Sequence, residues 1–389
     1  MQFRARRYDT GELLAVTVIQ QQIAGLQSAE LRDTDPSGGQ PWFAPGFVDL
    51  QINGFGGVEF NDERLNTDQV EQVSRACDAM GVTGYCPTVT THSFEAMARS
   101  LGVIARACRE NPAVARRVVA IHLEGPYLSF EDGPRGAHPP EFCRPPDWDE
   151  FCRFQDAAEG RIRLLTMAPE FPGSSAFIER VVEAGVIVAI GHTKADTQQI
   201  RDAVDAGATL STHLGNGAHA MIRRHPNYIW DQLAEDRLAA TLIADGHHLP
   251  APVVKTFVRA KSPQRCILVS DLVGLGGKPP GVYSTKAGNI EVLEDGRLVV
   301  AGQRQYLYGA GRSLPYGVAN VMRYADVDLK TAVDMASMRP MRALGLEPGR
   351  LQVGSVADLV CFDLPTDVNG PLKIRATVQS GELVYGSLG

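Results

Sequence analysis

Glu124, His192 and His213 could together hold one metal ion, because each comes at the end of its own short apolar stretch. Glu124 directly follows Val118–Leu123, and the two histidines end two later stretches of the same kind. Apolar runs bounded by turn residues are typical of strands buried on both faces of a parallel sheet. The carboxyl ends of such strands meet at one mouth of a barrel, where catalytic side chains gather. Three protein ligands leave room for a water molecule, which a divalent metal makes more acidic.

Each of these three residues also has a plainer interpretation when it is taken alone. A histidine can be a hydrogen-bonded member of the core, and a glutamate can form a salt bridge in a loop. The common position of all three, with one residue at each strand end, favours the metal site over that interpretation.

Asp271 is the candidate for proton transfer at this site. It follows Cys266–Ser270, the last strand of the predicted series. A carboxylate in that position can take a proton from water and later deliver it to a departing amine. The alternative is an Asp that caps a helix, which we disfavour because Leu272–Gly277 does not resemble the start of one.

Histidines in the loops around these strands are further candidates. His247 and His248 follow the seventh predicted strand, and either of them could face the pocket. His138 lies in the loop after Glu124 and could stand over the site. An ordinary exposed loop histidine is the alternative for each of them.

Asn216 and Arg224, in the loop after His213, are candidates for contacts to a substrate. An Arg side chain suits a bidentate grip on a phosphate group. A solvated basic turn at residues 223–225 explains the same sequence equally well.

An alternation of apolar strands and amphipathic helices would position these residues. The predicted strands are Phe47–Gln51, Thr83–Val89, Val118–Leu123, Ile162–Met167, Val186–Ile190, Ala208–Thr212, Leu238–Ile243 and Cys266–Ser270. The predicted helices are Thr67–Met80, Ser93–Arg109, Ser174–Ala184, Thr197–Ala206, Ala251–Ala260, Pro315–Tyr324 and Leu329–Met338. This α/β pattern favours a (β/α)8 TIM-type barrel over an open, doubly wound sheet.

The two ends of the chain lack this strand–helix alternation, and their sequences predict strands and turns. Leu13–Ile19, Ala357–Phe362 and Ala376–Tyr385 are strand-like, and Ile290–Ala301 has the pattern of a hairpin. We predict that residues 1–44 and 346–389 form one small β domain beside a barrel at residues 45–345.

Composition is that of an ordinary globular enzyme and excludes several other classes. The 389 residues are 44% hydrophobic and 21% charged, and the net charge of −7 argues against nucleic acid or an anionic membrane as partner. No apolar run reaches the length of a membrane span. The seven cysteines are scattered without a C-x-x-C pair, which is typical of reduced thiols in the cytoplasm.

In their order and spacing, these residues resemble the amidohydrolase superfamily, and within it the deacetylases of N-acetylated amino-sugar 6-phosphates. The resemblance covers nearly the whole chain, and its landmarks are residues 45–54, 122–126, 191–193, 212–214, 244–248 and 269–271. It implies a (β/α)8 barrel with a small β domain built from both termini, and a homodimer.

The resemblance also implies roles for individual residues. Glu124, His192 and His213 would bind one divalent metal ion, commonly zinc. Asp271 would be the general base and acid, and His138 would help to polarise the substrate amide. The positions implied for substrate binding are Ala137, Asn216, Gly217, Arg224, His248 and Leu314. In some members the phosphate-binding Arg comes from the neighbouring subunit, and the sequence leaves both arrangements open.

The chain departs from the family pattern at three places. Gln51 and Asn53 stand where many amidohydrolases carry the His-x-His of a second metal, so we expect one tightly bound metal. The loop at residues 212–221 differs from the common His-Leu-Tyr/Phe-Asn-Ala-Met. The stretch Gly309–Pro315 lacks the Ser-x-Leu-Thr-Met pattern, which Leu314 matches only loosely. The last two changes leave the exact sugar open.

The sequence thus leads to one main hypothesis and two alternatives. The main hypothesis is metal-dependent deacetylation of N-acetyl-D-glucosamine 6-phosphate to D-glucosamine 6-phosphate and acetate. The first alternative is an amidohydrolase that acts on another N-acyl amine or a cyclic amide without phosphate. The second is a non-catalytic binding protein with the same fold, which the presence of Asp271 and all three ligand candidates disfavours.

Overall fold

The computed structural model of the chain describes residues 1–30, 39–285 and 288–388. Its strands are β1 (Gln2–Arg7), β2 (Leu13–Ile19), β3 (Gln22–Ser28), β4 (Trp42–Pro45), β5 (Phe47–Ile52), β6 (Gly54–Phe55), β7 (Val58–Glu59), β8 (Val82–Thr90), β9 (Ile121–Glu124), β10 (Ile162–Met167), β11 (Ile187–Ile190), β12 (Leu210–Ser211), β13 (Ala239–Leu242), β14 (Cys266–Leu268), β15 (Gly281–Thr285), β16 (Gly288–Val292), β17 (Leu298–Val300), β18 (Gln303–Leu307), β19 (Leu359–Asp363), β20 (Lys373–Gln379) and β21 (Glu382–Gly386). Its helices are α1 (Thr67–Asp78), α2 (Phe94–Glu110), α3 (Pro112–Arg117), α4 (Trp148–Ala157), α5 (Ser174–Glu183), α6 (Thr197–Asp205), α7 (Tyr228–Ala234), α8 (Ala251–Lys261), α9 (Leu314–Ala325), α10 (Leu329–Ala336) and α11 (Met338–Ala343).

Eight parallel strands form the central sheet, in the order β5-β8-β9-β10-β11-β12-β13-β14. Neighbours in this sheet follow one another along the chain, as the strand–helix alternation requires. The first and last strands also meet, because Ile52 and Leu272 form a parallel bridge. The backbone N–H of Asp271 donates to the carbonyl of Gln51 at 3.0 Å across the same seam. The predicted (β/α)8 barrel is therefore confirmed.

Apolar side chains fill the barrel interior. The buried cluster includes Val48, Leu50, Cys86, Ala120, Leu164, Ala189, Leu210, Ile243 and Ile267. A barrel packed in this way has no room for a ligand along its axis, so chemistry is confined to the mouth at the carboxyl ends of the strands.

A second sheet of seven strands joins the two ends of the chain, in the order β21-β20-β19-β4-β1-β2-β3. In β1 the side chains alternate between core and surface, with Phe3 and Ala5 buried, as expected for a sheet with one covered face. The predicted small β domain is confirmed, while its boundaries at residues 44 and 346 stay predictions.

A third, antiparallel sheet of β15 to β18 lies between β14 and α9. Its central pair, β16 and β17, confirms the hairpin predicted at Ile290–Ala301. Within the described part of the chain, no helix has both the length and the apolar character needed to cross a membrane.

Candidate metal centre and active site

Glu124, His192 and His213 converge at the barrel mouth. Glu124 Oε1 lies 3.2 Å from His192 Nε2 and 3.1 Å from His213 Nε2. The two imidazole Nε2 atoms are 3.1 Å apart, and all three side chains are buried. The structure thus brings together the three residues that the sequence predicts as ligands, and they form a cluster that could hold a metal ion. Two imidazoles and a carboxylate suit a divalent transition metal.

The protonation of His192 supports this fit. Its Nδ1 lies 2.9 Å from the carbonyl oxygen of Pro134, which can only accept, so Nδ1 carries the proton. In this tautomer the metal-binding lone pair of imidazole is on Nε2, the atom that faces Glu124 Oε1 and His213 Nε2. The side chains present therefore fit a bound metal.

The backbone at these positions is strained. His192, His213 and Asp271 have φ angles of 51°, 26° and 56°, a region that residues other than Gly rarely adopt. A hydrogen bond from the backbone N–H of His213 to Thr241 Oγ1, at 2.6 Å, helps to hold one of these turns. Strain of this kind persists where the surrounding fold over-determines it, and it collects at functional sites.

Gln51 and Asn53 direct their amides at the two carboxylates of the site. Gln51 Nε2 donates to Glu124 Oε1 at 3.0 Å, and Asn53 Nδ2 donates to Asp271 Oδ1 at 2.7 Å. Because an ionised carboxylate only accepts, the nitrogen of each amide must face it. These residues therefore orient the carboxylates, and their neutral amide oxygens are weaker ligands for a second transition metal than two imidazoles would be.

His138 and Asp271 border the cluster. His138 Nε2 lies 3.3 Å from His192 Nε2, and the two rings are nearly perpendicular. Burial lowers the pKa of His138 to about 3, so this ring is neutral. Burial and the negative charge of Glu124 raise the pKa of Asp271, which makes its carboxylate a better proton acceptor.

The structure holds some of the predicted substrate-binding residues firmly. His248 Nδ1 lies 2.8 Å from Asp245 Oδ2, which leaves Nε2 as the free end of that ring. Asn216 Nδ2 donates to the carbonyl of His213 at 3.2 Å. Leu314 is buried at the start of α9, so its side chain belongs to the core and only its backbone can meet a ligand.

The other predicted positions differ from one another. Ala137 is exposed in the loop after β9, and Arg224 is exposed on the segment that precedes α7. Gly217 lies against the ring of His192.

Sequence reasoning missed two supporting groups. Asp245 orients His248 across an i, i+3 spacing, which was a readable signal. His122, within β9, lies behind the cluster with Nε2 at 2.8 Å from Thr166 Oγ1. Burial lowers the pKa of His122 to about 4, so it stays neutral as part of a buried polar layer.

Replacing Gly217 by Ala should weaken metal binding. A Cβ there would lie 2.7 Å from His192 Nδ1 and 3.2 Å from the Pro134 carbonyl, and would disturb the hydrogen bond that orients the ligand. Losing such a supporting contact costs about 10- to 100-fold in metal affinity. Competition with a chromogenic chelator measures the change.

Gly345→Ala is the matched control. Gly345 has a similar φ of 66°, but no atom lies within 4 Å of its added Cβ. It carries the conformational penalty alone, about 1–2 kcal/mol of stability. Equal metal affinities in the two variants would contradict the role given to Gly217.

Comparisons with known proteins agree with this geometry. The sequence model of the amidohydrolase family matches residues 42–384. The N-acetylglucosamine-6-phosphate deacetylase of Bos taurus is 33% identical over 353 residues, which cover 88% of this chain and 83% of that protein. The N-acetylgalactosamine-6-phosphate deacetylase of Escherichia coli O157:H7 is 30% identical over 321 residues, which cover 82% and 83%. A mutant N-acetyl-D-glucosamine-6-phosphate deacetylase from Mycobacterium smegmatis, in complex with N-acetyl-D-glucosamine-6-phosphate, has a similar structure, with a TM-score of 0.84, 31% identity and 99% coverage of both chains.

Proposed function

This chain belongs to the amidohydrolase family, and we propose that it removes the acetyl group from N-acetyl-D-glucosamine 6-phosphate by metal-dependent hydrolysis. The products are D-glucosamine 6-phosphate and acetate. The observation that carries this proposal is the buried cluster of Glu124, His192 and His213, with Asp271 and His138 beside it. The relatives named for this reaction, which match most of the chain, support the choice of substrate.

The mechanism divides the work between the metal and the side chains around it. A divalent metal held by Glu124, His192 and His213 would polarise the amide carbonyl and make a water molecule more acidic. The carboxylate ligand lowers the net charge of such a centre compared with three histidines. A dedicated base is therefore needed to complete the activation of the water.

Asp271 is that base in our proposal. Asn53 binds its Oδ1, which leaves Oδ2 free to take a proton from the attacking water. After the carbonyl carbon has become tetrahedral, Asp271 returns the proton to the amine nitrogen, and the C–N bond breaks. His138, neutral and beside the cluster, donates a hydrogen bond to the carbonyl oxygen as negative charge develops on it.

The sugar would lie over the mouth between the loops that follow the strands. We assign His248 and Asn216 to its polar groups, because neighbouring residues fix both side chains. Ala137, Gly217 and Leu314 would offer backbone groups. Arg224 would reach the phosphate, either in its own subunit or in a partner subunit.

Finer features of the enzyme belong to the same proposal. Zinc is the metal that we favour, because two histidines and one carboxylate are among its common ligand sets. We further propose a homodimer that works in amino-sugar metabolism in the cytoplasm. The seven free cysteines are compatible with a reducing compartment.

Turnover of phosphorylated and unphosphorylated sugars tests the proposal. We expect the metal-loaded protein to release acetate from N-acetyl-D-glucosamine 6-phosphate, with a kcat/KM at least about 100-fold above that for N-acetyl-D-glucosamine, because a phosphate contributes charge-assisted hydrogen bonds. N-Acetyl-D-galactosamine 6-phosphate belongs in the same panel, since one relative is named for it.

The two substrate hypotheses give different results in this assay. Equal turnover of the sugar with and without phosphate would favour another N-acyl amine as substrate. Turnover of neither, in protein shown to contain metal, would reject the amino-sugar assignment.

A further inference from the structure

Arg312 lies where the segments after β13 and β14 meet. Its Nη1 donates to the carbonyl of Asp245 at 3.0 Å, and its Nε donates to the carbonyl of Asp295 at 3.1 Å. Its guanidinium carbon stands 4.7 Å from the centre of the Tyr316 ring. These contacts fix the position of the guanidinium. Since Asp245 also orients His248, the cation lies beside a residue assigned to the substrate.

The positive charge of Arg312 has no carboxylate partner among the residues that the structure describes. The side chain of Asp295 is engaged by Arg297, at 2.7 Å, while only its carbonyl faces Arg312. Burial lowers the pKa of His247, and the charge of Arg312 lowers it further, so the positive field reaches the adjoining loop. A half-buried cation whose contacts are all with neutral groups is a favourable place for an anion.

The segment around Arg312 lies close to the reaction centre. The backbone N–H of Ala310, two residues before Arg312, donates to the carbonyl of Asp271 at 3.3 Å, so the segment that carries Arg312 borders the catalytic site. A Cβ added to Gly246, in the loop at residues 245–248, would lie 3.7 Å from Arg312 Nη1. The acetamido group and the phosphate of the proposed substrate are on opposite sides of the sugar ring. A phosphate-binding cation should therefore stand apart from the metal but on the same mouth.

We propose that Arg312 binds the phosphate of the substrate from within the same chain, together with His248. This inference rests on the proposed function, because it presupposes a phosphorylated sugar. β13 and β14 are the seventh and eighth barrel strands, and the loops after these strands frequently bind phosphate in (β/α)8 enzymes.

Arg224 is the rival for this role. It is exposed, and its side chain makes no hydrogen bond to the described part of the chain. Binding phosphate would require the Arg224 side chain to become ordered, which costs conformational entropy. The Arg312 side chain is already ordered by its two carbonyl contacts, so it would lose less entropy on binding. Both residues can contribute, but Arg312 is the one held in place before the substrate arrives.

The substitution Arg312→Gln tests the proposal. Gln can still donate to one of the two carbonyls, but it has no charge. We expect the KM for N-acetyl-D-glucosamine 6-phosphate to rise about 10- to 100-fold, with kcat within about threefold and metal content unchanged. Competitive inhibition by inorganic phosphate should weaken by a similar factor. Arg312→Lys keeps the positive charge but lacks the paired N–H donors of the guanidinium, so its KM should rise less than that of Arg312→Gln.

Arg297→Gln is the control variant. Arg297 is a neighbouring Arg whose charge is already paired with Asp295, so its loss should leave the KM unchanged.

An unchanged KM in Arg312→Gln would overturn the proposal. A fall in the kcat of Arg312→Gln without a rise in its KM would also overturn it, because that result would show a purely structural role for Arg312. A KM rise in Arg224→Gln alone would assign the phosphate to Arg224. If the wild type turns over no amino-sugar phosphate, the proposed function fails, and this inference fails with it. If the wild type is active and only the KM result is absent, the function stands.

Discussion

Asp271→Asn should lower kcat by about 100- to 10,000-fold, which is the usual contribution of a general acid–base group. The amide of Asn cannot take a proton from water or return it to the departing amine. The substitution preserves shape, and its amide oxygen can still accept the hydrogen bond from Asn53. Asn also tolerates the φ of 56° that Asp271 adopts better than most residues do. Steady-state release of acetate, with metal content measured in the same samples, gives the result.

Asp326→Asn is a matched control for the backbone. Asp326 ends α9 with a φ of 57° and is exposed, so the same substitution at nearly the same φ should leave kcat unchanged. A full metal load with lost turnover in Asp271→Asn would separate proton transfer from metal binding. Turnover within about tenfold of the wild type would contradict the role of Asp271 as base.

The barrel and the metal cluster could be predicted because both depend on short-range patterns. A short run of apolar residues predicts a buried strand, and a polar residue at the end of such a strand is seldom needed for packing. Parallel strands place all their carboxyl ends on one side, so Glu124, His192 and His213 had to meet once the barrel was assumed. The structure places their donor atoms 3.1–3.2 Å apart in pairs.

The supporting contacts were harder to predict, because they depend on atomic positions across the barrel. Gln51 and Asn53 were noted only as poor metal ligands, whereas the structure makes them donors to Glu124 and Asp271. Nothing in a linear sequence says that an amide on the first strand faces a carboxylate on the third or after the eighth. The buried side chain of Leu314 was missed for the same reason.

Helices α3, α4, α7 and α11 were not predicted, although the caps of α4 and α7 were readable. Asp147 accepts from the backbone N–H of Glu150 at the start of α4, and Asn227 caps α7 in the same way. Both helices are short and follow proline-containing segments, where periodicity has few turns in which to appear. Arg224 lies in the segment before α7. Because α7 was not predicted, the structural surroundings of Arg224 were not predicted either.

Glu124→Gln should abolish tight binding of the metal, and activity with it. The wild type should carry one equivalent of divalent metal per chain, because two imidazoles and one carboxylate form one closed cluster. The substitution removes the only negative charge among the three ligands, and we expect the affinity to fall more than about 100-fold, beyond the loss seen for supporting contacts. Metal analysis after dialysis gives the stoichiometry. Adding metal to the stripped proteins should raise the Tm of the wild type alone, since only a ligand that binds the folded state stabilises it.

Glu141→Gln, an exposed carboxyl in the loop that carries His138, controls for a general loss of negative charge and should keep its metal. The stoichiometry also tests the role given to the two amides. Gln51 and Asn53 donate to Glu124 and Asp271 and so hold these carboxylates in place, and neutral amides where other amidohydrolases have two imidazoles disfavour a second ion. Two equivalents in the wild type, with one lost in Gln51→Ala, would contradict that role. One equivalent in the wild type and none in Glu124→Gln would assign the reaction to a single metal, with Asp271 as the base beside it.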